Sequence, residues 1–111
     1  MRRALLACAL LALTAPALAQ SGRAQRGETF ARTTCAGCHA IGRTGESPLP
    51  IAPPFRTLHT RYPVESLAEA LAEGIVTGHP TMPEFTLDPA QVNDFVAYLK
   101  SLEPRRGPRR G

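Results

Sequence analysis

Apolar residues recur along this chain at spacings of three and four, with no alternating stretch, so the pattern predicts helices and no strands. Over residues 20–34 the signal is weak. Ala24, Gly27, Phe30 and Ala31 share one helical face, and Gly27 on that face permits the close approach of another helix. Over 64–73 it is clearer: Val64, Leu67, Ala68 and Leu71 make one stripe, Pro63 suits the first turn and Gly74 can stop it. The last helix is the best signalled. Asp88 can cap it, Pro89 takes its first position, and Gln91 completes a capping-box-like arrangement. Val92, Phe95, Val96, Leu99 and Leu102 form its apolar face, and Pro104 ends it. Residues 40–54 and 75–87, punctuated by Gly and Pro, read as loops. The first is long for a compact domain, which points to a functional role.

The start of the chain reads differently. Arg2 and Arg3 precede an unbroken apolar run from Ala4 to Leu13; Thr14 and Pro16 break it, and Ala17-Leu18-Ala19 is a small-x-small pattern. That is the layout of a secretory signal peptide cleaved before Gln20. The alternative is an anchoring helix, but the run is short of the ~20 residues that span a bilayer. Arg2-Arg3 lacks the surroundings of a twin-arginine signal, and Cys8 lies too early in the run for a lipoprotein cleavage site. Cleavage takes the net charge from +4 to +2 and leaves Cys35, Cys38 and Met82 as the only sulfur-bearing residues. The chain therefore divides into 1–19, a signal peptide; 20–103, a single domain; and 104–111, a disordered basic tail.

Composition narrows the picture. At 111 residues there is no room for a nucleotide-binding fold plus a substrate domain. Without Trp, and with 5% aromatic residues, the core is thin. A chain this small and loop-rich needs a disulfide, a metal or a cofactor as a staple.

The sequence Cys35-Ala36-Gly37-Cys38-His39 supplies one. It is the attachment signature of c-type haem. Cysteines three apart on a helical turn lie on one face and can both reach the porphyrin vinyl groups, while His39 can direct Nε2 at the iron. The alternatives are a thioredoxin-like pair, half of a zinc site completed by His59 or His79, and a disulfide. The first lacks its preceding strand, the second needs His59 or His79 to complete it, and the third leaves His39 unexplained. Met82 stands in the stiff stretch Gly78-His79-Pro80-Thr81-Met82-Pro83. It is the candidate sixth ligand, its soft thioether favouring Fe(II); a plain core contact is the other reading of Met82.

With these elements in order, the chain resembles a class I cytochrome c of the small bacterial monohaem kind. The resemblance covers nearly all of 20–103: a first helix with Gly27 and Phe30, the Cys35–His39 run, the Met82 loop, and a last helix with Phe95, Tyr98 and Leu99. It implies an all-α fold of three to four helices round one haem c, with the terminal helices crossing near Gly27. Ala52-Pro53-Pro54-Phe55 resembles the family's Gly-Pro-x-Leu/Tyr run, where the proline carbonyl accepts the axial histidine's Nδ1–H. The resemblance gives that role to Pro53, with Pro54 the alternative because Ala52 replaces Gly, and gives haem-face packing to Phe55. Fixing the tautomer raises ligand basicity.

The expected function is single-electron transfer between redox partners in the periplasm, with Cys35 and Cys38 anchoring the haem and His39 and Met82 ligating iron. No substrate is transformed, so the chain is not an enzyme. Donor and acceptor are redox proteins, soluble or membrane-bound. Nucleic acid is not a partner, the mature chain has no membrane span, and it is a monomer. The alternatives are a haem enzyme or gas sensor with a labile sixth site, where His79 can replace Met82, and a dedicated electron-feeding subunit of one oxidoreductase. Tyr62 and Arg56 are either donors to haem propionates or packing and surface residues. Phe30, Leu67, Leu71, Ile75 and Phe95 are both core and haem wall. His59 reads as a surface histidine. The four arginines of the tail either steer docking to an acidic partner or anionic lipid, or are simply solvated; taking them away turns +2 into −2.

Overall fold

A computed structural model describes residues 15–74 and 82–105. Ile75, His79 and the tail beyond Arg105 lie outside the described residues. The described residues are helical throughout their regular structure, in the order α1 (Ala15–Thr34), short 3-10 helices at Phe55–Thr60 and Val64–Ser66, α2 (Leu67–Glu73) and α3 (Pro89–Ser101). The fold is all-α.

Helix α1 takes in the five described residues before Gln20, where its apolar pattern predicts it to begin. Pro16, which in the sequence closes the apolar run of the leader, lies within it. The sequence reading of 64–73 as one helix is also refined. Its start is a 3-10 turn behind Pro63, and only Leu67 onward is α. Gly74 ends it at φ +105°, a conformation that a side chain resists. The turn at Phe55–Thr60 was not expected. Its buried residues, Phe55 and Leu58, are three apart, which matches three residues per turn rather than 3.6.

The two long helices cross where the sequence placed its glycine. A Cβ built on Gly27 would lie 2.0 Å from the Asp94 carbonyl oxygen and 2.7 Å from Tyr98 Cβ, so only a hydrogen fits. On the same faces Ala31 is fully buried and Phe30 meets Phe95 edge-on, with centroids 5.5 Å apart. Beside the crossing, Arg26 grips both oxygens of Asp94, at 2.9 and 3.1 Å. Further along α3, the Tyr98 hydroxyl donates to the Ile41 carbonyl at 2.6 Å. Burial raises that tyrosine's pKa, so the hydroxyl stays protonated as a donor.

Helix α3 is set by its ends. Asp88 Oδ1 accepts from Gln91 N at 2.9 Å, and Gln91 returns Oε1 to Asp88 N at 3.2 Å. Its other end stops at Ser101, two residues short of Glu103, which precedes Pro104 and so disfavours helix. Arg43 donates to the freed Ser101 carbonyl at 2.7 Å. Asp88→Ala is expected to destabilise the fold by about 1 kcal/mol, while Asp88→Asn, which keeps the acceptor, should cost little. Thermal melts of the two variants check this; equal losses would remove the cap from the account.

Candidate functional site

The backbone of α1 does not simply stop at Thr34. Cys35 N and Ala36 N both donate to Ala31 O, at 2.8 and 3.0 Å, and His39 N donates to Cys35 O at 3.0 Å. The Cys35–His39 run is therefore one further helical turn. Residues 40–54 then fold back over that turn. Leu49 N donates to Cys38 O at 3.0 Å, Ala40 N to Ser47 Oγ at 3.0 Å, and Phe55 N to Ala40 O at 2.9 Å. Ala52, fully buried, fills the space beneath.

This folding brings Pro53 to His39. The histidine Nδ1 lies 2.8 Å from the Pro53 carbonyl oxygen, and a carbonyl can only accept. Nδ1 therefore carries the proton, and in the neutral ring the lone pair is on Nε2. The bond goes to Pro53 and not to Pro54, whose carbonyl instead takes Thr57 N at 3.0 Å. His39 is 9% exposed and stacks obliquely on Phe55, with ring centroids 4.9 Å apart.

All six residues singled out in the sequence line one cavity of about 400 Å³: Cys35, Cys38, His39, Pro53, Phe55 and Met82. They come from three separate stretches of chain. Leu67, Leu71 and Phe95 line it as well, as expected of core residues that double as walls, whereas Phe30 touches it only through Phe95. The segment after α2 is tied in from the far side of Met82, because Leu87 N donates to Leu71 O at 2.9 Å.

Five lining residues escaped the sequence reading: Thr34, Ile51, Leu58, Arg61 and Phe85. Leu58 has a signal in hindsight, its three-residue spacing from Phe55. Among the described residues Arg61 carries the only fixed charge on the lining, next to Tyr62. Burial pushes the Tyr62 pKa up, opposed by Arg61. Arg56, proposed from sequence as a donor to a cofactor carboxylate, is engaged elsewhere: it donates to the Gly45 carbonyl at 2.7 Å. His59, half-buried, faces a neighbouring polar cleft with Glu65, Lys100 and Glu103, which shares Arg61 and Tyr62 with the cavity.

The lining chemistry fits a haem. Two thiols lie on one turn, an imidazole has its lone pair fixed on Nε2, and a thioether joins them across a mainly apolar wall. The other readings of the cysteines fare worse. Both thiols are free, and burial pushes the Cys35 thiol up to about 11, the opposite of an activated redox thiol. Among the described residues no group of three or more His, Cys, Asp and Glu is placed to hold a metal ion.

Comparison with known proteins agrees with the geometry. A family model described as cytochrome c matches residues 24–103, which include every lining residue. No curated protein and no solved structure matches the chain.

Proposed function

The chain belongs to the cytochrome c family, whose work is haem-based electron transfer, and we propose that within it this protein is an exported, monomeric, monohaem carrier that is not an enzyme. The observation that carries the reading is the meeting of Cys35, Cys38, His39 and Met82 in one cavity, with His39 oriented by Pro53. Cys35 and Cys38 would hold the haem through thioethers, and His39 Nε2 and Met82 Sδ would ligate its iron. When bound, the haem supplies a reversible one-electron couple.

The chain's own residues set the terms of that couple. The Pro53 carbonyl keeps the His39 ring from turning and makes it a better base. Phe55, Leu58, Leu71 and Phe95 exclude water from the cavity and lower its local dielectric. As a ligand together with His39, the soft Met82 sulfur would favour the reduced state, and so a higher potential than two imidazoles would give. Arg61 and Tyr62, both on the lining, would donate to the haem carboxylates.

Export rests on the sequence: the Arg2-Arg3 start, the apolar run to Leu13 and Ala17-Leu18-Ala19. Cleavage before Gln20 would leave 20–34 of α1, including Gly27 and the whole crossing with α3. Among the described residues no helix is long and apolar enough to cross a membrane. The donor and acceptor are redox proteins.

The test is an absorption spectrum of the purified protein, oxidised and reduced, with carbon monoxide added to the reduced form. A low-spin spectrum in both states, unmoved by carbon monoxide, is expected. Met82→Ala should open the iron to carbon monoxide and lower the potential by on the order of 200 mV, within the ~0.8 V that axial ligands span. Carbon monoxide binding by the unaltered protein would point to an enzyme or sensor with a labile sixth site. An unchanged Met82→Ala spectrum would move the sixth ligand elsewhere.

A further inference from the structure

His39 is held at its backbone as well as at its imidazole. Its own N–H donates to Cys35 O, the Cys38 carbonyl before it accepts from Leu49 N, and the Ala40 carbonyl after it accepts from Phe55 N. These three bonds join backbone to backbone, so any sequence with this chain path can make them. A fourth is different in kind. Ala40 N donates to Ser47 Oγ at 3.0 Å, a bond that needs a side-chain acceptor at position 47. Ala40 is buried, so water does not readily replace that acceptor.

Ser47 is itself kept in place. Pro48 after it biases its backbone toward extended conformations. Gly45, two residues before it, turns the chain at φ +91°, where a side chain would be strained. The Gly45 carbonyl is the one that Arg56 takes, at 2.7 Å. Arg56 follows Phe55, whose N–H is bonded to Ala40 and whose side chain lies against His39. The bonds therefore close a circuit: from Ala40 to Ser47, back along the chain to Gly45, across to Arg56, and through Phe55 to Ala40 again. His39 is joined to this circuit at Ala40, and Pro53 is joined to it two residues before Phe55. The 2.8 Å bond from His39 Nδ1 to the Pro53 carbonyl spans the two attachments.

We propose that Ser47 and Arg56 are positioning residues for the histidine ligand: through this circuit they hold the Pro53 carbonyl against Nδ1–H and so set how strong a base His39 is. The proposal deepens the electron-carrier reading and rests on it for the effect on the potential. Neither residue is on the cavity lining, so both act through the backbone they tie. Loosening the circuit weakens the Nδ1–H bond to Pro53, makes Nε2 a poorer donor to iron and favours Fe(II). Losing a cation near the site acts the other way, since it favours the more positive Fe(III). The direction of the change separates positioning from charge.

The test is made on the mature, haem-bearing protein with two readouts. One is the equilibrium with a redox dye; the other is exchange of the His39 Nδ1 proton with deuterated water, followed by NMR. Ser47→Ala should move the dye equilibrium about threefold toward reduced protein. It should also speed Nδ1–H exchange about tenfold. Ser47→Thr, which keeps a hydroxyl, should restore both. Arg56→Gln should move both readouts in the same direction as Ser47→Ala. Asp88→Ala, which loosens the start of α3 instead, should melt lower and move neither. A Ser47→Ala protein that melted lower with both readouts unchanged would overturn the proposal, leaving a merely structural bond. So would a shift toward oxidised protein in Arg56→Gln, which would assign that residue to charge, or an Asp88→Ala shift equal to that of Ser47→Ala. If Ser47→Ala does not fold, Arg56→Gln, whose bond is exposed, carries the same comparison. Lack of a reversible one-electron couple in the unaltered protein would overturn the carrier reading, while Nδ1–H exchange would still read the positioning.

Discussion

Gly27→Ala is expected to destabilise the protein by about 3 kcal/mol, at the upper end of what overpacking a tight site costs. By helix propensity alone the change should help, by close to 1 kcal/mol. The crossing decides the sign. The added methyl would stand 2.0 Å from the Asp94 carbonyl oxygen, backbone held inside α3, so no rotamer change relieves it. The helices must part, and with them the Phe30–Phe95 contact and the Arg26 grip on Asp94. In a domain of this size the melting temperature should fall by about 15 °C. Gly22→Ala is the control. It lies on the same helix, and its methyl would meet only the end of Arg26 at 3.4 Å, so the propensity gain should survive. Thermal melts followed at 222 nm separate the two. If Gly27→Ala melted no lower than the unaltered protein, the close crossing would be wrong.

That crossing was legible because its signals are local: a glycine at helical spacing with Phe30 and Ala31, and Asp88-Pro89 opening the last helix. What escaped obeys other periods or needs distant partners. The turn at Phe55–Thr60 hides its two buried residues at a spacing of three, among Arg56, Thr57 and His59, so a search for 3.6 passes over it.

The site divides in the same way. Cys35, Cys38 and His39 are contiguous, and their chemistry is written in one turn. Met82 stood out because it is the one methionine beyond Met1. Pro53 was reached through resemblance, since nothing local says which of two adjacent carbonyls turns toward a histidine fourteen residues earlier; the fold settles it by giving Pro54 to Thr57. Arg61 and Phe85 join the lining only through tertiary folding, and Arg56 leaves it because Gly45 claims its guanidinium first.

The largest effect should follow removal of both thiols. A chain carrying Cys35→Ala and Cys38→Ala is expected to release its haem to acidified acetone, and the stripped chain is expected to lose most of its helical circular dichroism. The argument is one of volume. At ~24 cal/mol per Å³, a cavity of about 400 Å³ left without its occupant costs about 10 kcal/mol, as much as the whole stability of a typical domain. The cost falls on residues that cannot retreat. Phe55, Leu71 and Phe95 wall the cavity and are at the same time the core against which the helices pack. Phe95 also takes the edges of Phe30 and Phe55. Helix α2, seven residues long, is too short to persist alone. Met82→Ala, by contrast, should keep the fold while changing the iron's ligation, so spectrum and circular dichroism should part company between the two variants. A stripped double variant that kept native dichroism and a cooperative melt would show that the helices close on themselves, and that the cofactor is a passenger in this fold and not its staple.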